Sequence, residues 1–199
     1  MKRSSSSIKE GALSLLIGSM VLLMSCTVKV MPDNVPSVRG ARTKSFAGVA
    51  LAIVNAEKDA SNYDIPTDKG QKLGFVGNRR AWSKKLIENL AGELAKRGAH
   101  VAPKAPMKLA VSVPEITLIE HNELYQFKVM VAISSKGWTK KYEARAESRL
   151  AFFESADAMA SRVAGRALAE AIKAILRDAD FQTRVGKNKA PRVLLGANR

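Results

Sequence analysis

The sequence predicts an α+β domain, a two-layer sandwich in which two helices pack on one face of a small mixed sheet. The chain has 199 residues, of which 46% are hydrophobic and 26% charged, as expected of one globular domain with a tail. Apolar residues recur every three or four positions in two segments, which is typical of amphipathic helices. Elsewhere they alternate with polar residues, which is typical of half-buried strands. The predicted order is β-α-β-β-β-α.

The first strand and the first helix are separated by a long polar connection. The apolar run 46–54 predicts a buried strand. Residues 55–81 exceed the usual length of a loop, so we expect them to be functional or mobile. The helix is predicted from Trp82 to Arg97, and Gly98 supplies a left-handed C-cap. The crossover places the first two strands parallel if they are neighbours.

Alternation with a period of two predicts three further strands in succession. In the first, residues 107–120, Pro114 interrupts the pattern and indicates a β-bulge or an edge strand. Residues 125–133 alternate most regularly, and a turn at 135–137 joins them to the third strand, 138–148. These strands supply most of the predicted sheet.

A second helix and a basic tail complete the chain. Ser155 is the predicted N-cap of a helix that ends at Arg177 and buries an alanine-rich stripe. Residues 182–199 contain basic but no acidic residues, and we expect them to form a loosely ordered tail. The folded α+β domain is therefore predicted to span 45–181.

The N-terminus has the pattern of a bacterial lipoprotein signal peptide. Residues 1–25 combine three basic residues with an apolar run that is too short to span ~30 Å of hydrocarbon. Leu23, Met24 and Ser25 precede Cys26, the only cysteine, and together they resemble the lipobox. That resemblance implies lipid transfer to the Cys26 sulfur, cleavage before it and acylation (palmitate) of the new amine. The alternative is an uncleaved anchor helix with an incidental cysteine.

The residues after the cysteine bear on localisation. Thr27 stands where an aspartate commonly retains a lipoprotein in the inner membrane, so its presence favours the outer membrane, with the domain facing the periplasm. Residues 26–44 contain prolines and glycine without a clear period. We expect them to comprise the lipidated cysteine and a flexible tether, about 20–25 Å long as a coil.

The chain is strongly basic, with 33 Lys and Arg against 18 Asp and Glu, a net charge of +15. Loss of residues 1–25 leaves 30 basic and 17 acidic residues, or +13. In the periplasm the available polyanions are phospholipid headgroups, lipopolysaccharide and peptidoglycan carboxylates, and nucleic acid is not an expected partner. The alternative is that the charge is only solvated. Arg79 and Arg80 precede the first helix, where its dipole disfavours cations, so we expect them to contact an anion from a partner or from the long loop.

No motif of a catalytic or cofactor site is present. The sequence lacks the nucleophile elbow, the P-loop and the dinucleotide fingerprint, and one cysteine with two histidines argues against structural zinc. His121 lies beside Glu120 and Glu123 at a predicted turn, where a metal-binding or basic role competes with a solvated hairpin tip. Four acidic residues of the long loop lack the spacing of a calcium site: Glu57, Asp59, Asp64 and Asp68. We expect no enzymatic activity, cofactor or metal.

Two short motifs resemble the YajG-type family of bacterial outer-membrane lipoproteins. Residues 97–103 read RGAHVAP, and residues 139–144 read TKKYEA. With the lipobox, the resemblance covers roughly 86–180 and implies a periplasm-facing lipoprotein without catalytic residues to carry over. We therefore expect a non-enzymatic accessory or scaffold of the cell envelope, anchored to the membrane by lipid and partnered by an envelope protein or peptidoglycan. The alternative is a binding module for an anionic envelope ligand: lipopolysaccharide, phospholipid or a peptidoglycan fragment.

Overall fold

The computed structural model of the chain describes residues 27–39, 45–67, 74–121, 124–149 and 154–187. Side chains are described within these ranges except at the β-hairpin tip, residues 120 and 121. No helix in these parts of the chain is both long and apolar enough to cross a membrane.

The observed elements confirm the predicted α+β class. The predicted β-α-β-β-β-α order is reproduced, with additional short elements between the predicted ones. The strands are β1 (Thr27–Lys29), β2 (Ala50–Asn55), β3 (Tyr63–Asp64), β4 (Gly74–Gly77), β5 (His100–Val101), β6 (Met107–His121), β7 (Leu124–Ser135) and β8 (Trp138–Arg149). The helices are α1 (Arg79–Lys96), α2 (Ala156–Arg177) and α3 (Ala179–Gly186).

The larger sheet has five strands in the order β5-β2-β6-β7-β8. Strand β2 is parallel to β6, with Ile53 opposite Leu109, which confirms the predicted parallel pair. Helix α1 packs on β2 and β6, helix α2 packs on β7 and β8, and the two helices contact each other. Trp82 of α1 contacts Phe127 of β7 at 5.9 Å between ring centroids. The helices therefore cover one face, while Lys141 on the other face of β8 is exposed.

A β-bulge at Pro114 keeps one face of β6 apolar throughout. The pairing with β7 shifts between Ser112 and Glu115, so two residues of β6 lie opposite one residue of β7. If β6 alternated regularly beyond Val113 without a bulge, the side chains of Ile116 and Leu118 would lie on the opposite face. Because of the bulge, Ile116 and Leu118 are buried on the same side as the residues before it. The predicted bulge is thus confirmed.

The predicted flexible tether is wrong for residues 27–39, which contribute with two short strands of the long loop to a second sheet. That sheet has three strands in the order β1-β4-β3, with β1 parallel to β4 and β3 antiparallel to it. Val28, Val30 and Val38 are buried, so residues 27–39 belong to the folded core. Strand β1 is too short for its apolar residues to show a period in the sequence. Contacts with distant residues hold the segment in place instead. Residues 40–44 lie outside the described ranges.

Helix boundaries also differ from the prediction at two places. Helix α1 begins at Arg79 rather than Trp82, because Asn78 caps it by accepting a 2.9 Å hydrogen bond from Ala81 N. Helix α3 occupies 179–186, so the prediction of a loosely ordered tail is wrong for 182–186. Phe181 and Val185 anchor α3 in the core. The tail beyond 187 lies outside the described residues.

The second predicted helix is confirmed at both ends. Helix α2 spans the predicted length, and Ser155 Oγ accepts a hydrogen bond from Ala158 N at 3.2 Å. Its buried stripe includes alanines at 160, 164, 167 and 171, which let the helix approach its neighbours closely.

Candidate functional site

The predicted lipidation site adjoins the first strand. Leu23, Met24, Ser25 and Cys26 lie outside the described residues, as does the rest of the predicted signal peptide. Thr27, the next residue, already belongs to β1 and is paired with β4. One peptide bond therefore separates the predicted lipidation residue from a strand of the folded domain.

The segment after β1, residues 30–39, lies against both α1 and α2, and we call it the strap. The indole Nε1 of Trp82 in α1 donates a buried 3.2 Å hydrogen bond to the carbonyl oxygen of Val30. In α2, Gly165 faces the carbonyl of Asn34 so closely that an added Cβ would lie 2.1 Å from its oxygen. The strap is thus held by one helix through a hydrogen bond and by the other through backbone contact.

Glu93 connects the strap to the C-terminal end of α1. Its carboxylate accepts hydrogen bonds from Lys96 Nζ at 2.8 Å and Arg97 Nη1 at 2.5 Å. Ser37 Oγ in the strap donates a further bond at 3.4 Å. Burial raises the pKa of Glu93, but the bonds from Lys96 and Arg97 outweigh burial and leave that pKa below its ordinary value.

A cavity of about 590 Å³ opens between the strap, α2 and β8. Its basic side chains include Arg39, Arg145 and Arg166. Arg145 is paired with Glu143 at 2.7 Å, and another lining residue, Lys173, is paired with Glu170. This cavity therefore has mixed charge, and part of its positive charge is already balanced within the domain.

Arg79 and Arg80, the predicted anion contacts, occupy different surroundings in the first turn of α1. The guanidinium of Arg79 lies over the ring of Tyr63, 4.5 Å from its centroid, whereas Arg80 is exposed. Among the described residues neither forms a salt bridge. Hydrogen bonds at Ser61 chiefly lower the pKa of Asp59, and the charge of Arg79 adds to this effect. The predicted anion contact of Arg79 and Arg80 stays a prediction.

Tyr63, whose ring lies under the Arg79 guanidinium, is not among the residues predicted from the sequence. Burial raises its pKa to about 12, although the nearby Arg79 acts in the opposite direction. Among the described residues, the buried Tyr63 hydroxyl has no hydrogen-bond partner. A cation stacked on an aromatic ring gains a modest stabilisation, about 0.5–2 kcal/mol. This contact gives Arg79 a structural role in joining β3 to α1.

The TKKYEA motif, at the start of β8, contacts the junction between α2 and α3. Trp138, Lys140 and Tyr142 share one side of β8 and reach the junction between α2 and α3. Tyr142 Oη donates to Asp178 at 2.7 Å, and Lys140 Nζ donates to the same carboxylate at 2.9 Å. Trp138 Nε1 donates to Asp180 at 3.4 Å. Tyr142 and Trp138 thus lie against the junction and bind its carboxylates through their polar atoms.

Asp178 is the centre of that junction. It ends α2 and caps α3 by accepting hydrogen bonds from Asp180 N and Phe181 N, each at 3.2 Å. Burial raises its pKa, but hydrogen bonds from Lys140 and Tyr142 prevail, so its pKa lies below the ordinary value. Burial and the adjacent carboxylate raise the pKa of Tyr142. The motif therefore positions α3, a helix that the sequence pattern does not reveal.

The RGAHVAP motif likewise serves the turn after α1. Gly98 has φ of +91°, and a Cβ there would lie 3.2 Å from the Cα of Ala47. The carbonyl of Arg97 accepts a 2.8 Å hydrogen bond from Phe46 N. Glycine is favoured by both the left-handed backbone and the close approach, which confirms its predicted place at the helix end.

Only some of the residues considered for metal binding lie in the part of the chain that the structure describes. Within the described residues, which include Glu57, Asp59 and Asp64, no group of three or more His, Cys, Asp or Glu could hold a metal ion. Asp68 and the side chain of His121 lie outside them. The role of His121 stays a prediction.

Comparisons with known proteins support the fold. No family model matches the chain, and no curated protein matches it. A Xanthomonas campestris protein of the DUF330 family superposes with a TM-score of 0.52 at 10% identity, covering 79% of this chain and 97% of its own. A candidate lipoprotein from Caulobacter crescentus superposes with a TM-score of 0.38 at 15% identity, covering 71% and 93% respectively. The chain is thus similar in fold to the DUF330 protein.

Proposed function

We propose that the protein is a periplasm-facing outer-membrane lipoprotein that acts as a non-enzymatic accessory or scaffold of the cell envelope. The observation that carries this proposal is the position of Thr27, which is paired in β1 directly after the lipobox cysteine. A lipid on Cys26 would hold the folded domain at the bilayer surface. Acyl chains contribute about 0.8 kcal/mol per buried methylene, so several chains bind stably.

The position of Thr27 indicates which end of the large sheet lies nearest the proposed lipid anchor. Thr67, which follows β3, pairs with Leu118 near the end of β6, and β1 begins beside the start of β4. Thr27 therefore lies towards the end of the sheet at which β6 ends and β7 begins. Because the strap is packed on α1 and α2, the anchor joins a fixed part of the domain. We propose that this end faces the membrane and that the turn between β7 and β8 faces away.

Lipidation is tested by metabolic labelling with an alkyne palmitate, followed by mass measurement and membrane fractionation. We expect the natural sequence to take up label and to fractionate with the outer membrane, and Cys26→Ser to lose both. Ser25→Ala is a matched control, because it keeps a small residue before the cysteine and is expected to be lipidated. Label retained by Cys26→Ser, or an unshifted mass in the natural protein, would overturn the proposal.

The scaffold role is tested by crosslinking in cells. A photoreactive amino acid at Lys141, on the exposed sheet face, or at Lys84, on the exposed side of α1, leaves the core intact. We expect one position to capture a reproducible envelope protein. Absence of any protein partner at both positions, with the protein monomeric and unable to bind sacculi, would contradict a scaffold.

We also propose membership of the YajG-type family. Gly98 and Tyr142, which carry the two motifs, both occupy positions with specific structural demands, a left-handed turn and the Asp178 junction. An experimental structure of a YajG-type protein is expected to place equivalent residues at the same turn and junction. Different residues in those places would argue against membership.

A further inference from the structure

A cavity of about 520 Å³ lies at the end of the large sheet away from Thr27. It is bounded by the start of β6, the turn between β7 and β8, and α3. Its lining contains four basic residues and no acidic one: Lys108, Lys136, Arg184 and Lys187. A concave surface lined by one sign of charge concentrates positive potential and attracts anions.

The acidic residues near α3 are already engaged elsewhere. Asp178 and Asp180 accept hydrogen bonds from Lys140 at 2.9 and 3.4 Å, on the β8 side of the junction. Among the residues that the structure describes, Lys108, Lys136 and Lys187 form no salt bridge. Their positive charge is therefore available to a ligand.

The walls of the cavity are fixed by the fold. Arg184 donates a hydrogen bond through Nη2 to the carbonyl oxygen of Lys136, which joins α3 to the turn between β7 and β8. Gly137 in that turn has φ of +69°, and Phe181 secures α3 in the core. A site that is already formed loses less conformational entropy when a ligand binds.

The position of the cavity restricts the source of the anion. Strands β7 and β8 each have 12 residues, and a strand of that length extends roughly 40 Å. If the opposite end is held at the bilayer, headgroups of that leaflet are far from the cavity. The carboxylates of the peptidoglycan layer lie on the periplasmic side, where this end of the domain points. The cavity volume is also within the range of about 300–1,000 Å³ for ligand sites.

The geometry points to this cavity as a binding site for peptidoglycan, with Lys108, Lys136 and Lys187 contacting its carboxylates. The inference rests on the proposed envelope location of the protein. Lysine suits this role because its ammonium group is a compact charge on a flexible stem that adapts to a polymer. Arg184, whose guanidinium also bonds the Lys136 carbonyl, shapes the wall.

Co-sedimentation of the full chain, purified in detergent, with protein-free sacculi tests the inference. The cavity variant is Lys108→Glu with Lys187→Glu, and the control is Lys58→Glu with Lys84→Glu, two exposed lysines outside the cavity. Both variants change the net charge equally. We expect the cavity variant to bind at least about tenfold more weakly and the control to bind within about twofold of the natural protein. Lys136→Gln, a milder change, is expected to weaken binding in the same direction.

The chemistry of the ligand is tested in the same assay. Amidation of the sacculus carboxylates is expected to abolish binding, and inorganic phosphate at matched ionic strength is expected not to compete. Equal losses in the cavity and control variants, unchanged binding to amidated sacculi, or competition by phosphate would each overturn the inference. Cys26→Ser protein is expected to bind sacculi normally in detergent, so a failure of lipidation is distinguishable from a failure of this site.

Discussion

Gly165 in α2 and Asn34 in the strap are in backbone contact: a Cβ at position 165 would lie 2.1 Å from the Asn34 carbonyl oxygen and 2.8 Å from its carbon. No ordinary side chain fits in that space. The contact requires glycine in the middle of α2, where glycine costs about 1 kcal/mol relative to alanine. Docking of the strap therefore accounts for a residue that helix propensity disfavours.

Gly165→Ala is expected to destabilise the protein by about 1–3 kcal/mol, because the strap must move away from α2. Gly92→Ala is the matched control, since a Cβ at position 92 meets nothing within 4 Å. That control is expected to raise stability by about 0.5–1 kcal/mol through helix propensity. Urea unfolding of the full chain measures both, and equal effects of the two changes would contradict a docked strap.

Trp82→Phe removes the donor that holds the strap while keeping an aromatic ring near Phe127. We expect a loss of about 1–3 kcal/mol in the free energy of unfolding, because the Val30 carbonyl is left buried without its partner. Trp138→Phe is the control, since its bond to Asp180 is exposed and long at 3.4 Å. Hydrogen exchange is expected to increase in residues 30–39 for Trp82→Phe only. Unchanged protection there would show that the bond does not hold the strap.

Ser83→Ala tests the contact between α1 and the bulged strand. Ser83 is fully buried, and its Oγ accepts a 2.9 Å hydrogen bond from Val113 N. Without it, a buried N–H loses its partner at a cost of about 1–3 kcal/mol. Ser112→Ala, on the opposite side of β6, is expected to change stability by less than about 0.5 kcal/mol. Thermal unfolding separates the two, and a neutral Ser83→Ala would refute the assigned role.

Deletion of single residues in β6 tests the function of the bulge. Deleting Pro114 removes the extra residue but leaves Ile116 and Leu118 facing the core, so we expect cooperative unfolding to be retained. Deleting Thr117 shortens the strand equally but places Ile116 and Leu118 on opposite faces, and we expect cooperative unfolding to be lost. Circular dichroism during heating measures cooperativity. Similar behaviour of the two deletions would be inconsistent with the observed register.

Acidification is expected to weaken the junction around Asp178. Its pKa in the folded protein lies below the ordinary value, so the folded state binds its proton more weakly than the unfolded chain does. The resulting stability is present above the unfolded pKa, about 3.9, and is lost as pH falls through the folded pKa. Glu93 contributes in the same direction. Asp178→Asn is expected to reduce the slope of stability against pH below about pH 4; an identical slope would exclude Asp178 as a contributor.

The sequence alone determined those elements whose patterns repeat locally. The alternation in 125–133 and the apolar stripe of α2 each repeat several times. The buried face of each segment can therefore be identified from its own residues, without knowing which element packs against it. The lipobox resemblance is also local, because it rests on four consecutive residues, and lipidation at Cys26 stays a prediction. Pro114 indicated the bulge because its ring removes a backbone donor.

Only the tertiary structure decided the placement of the strap, the small sheet and α3. The carbonyl of Val30 accepts a hydrogen bond from Trp82, 52 residues away, and α3 is capped by Asp178, which Tyr142 contacts from 36 residues away. Segments this short contain too few residues to show a hydrophobic repeat. They are not stable in isolation, so long-range contacts provide their stability. The basic cavity arises in the same way, because folding places Lys108, from the start of β6, and Lys187, beyond α3, in the lining of one cavity.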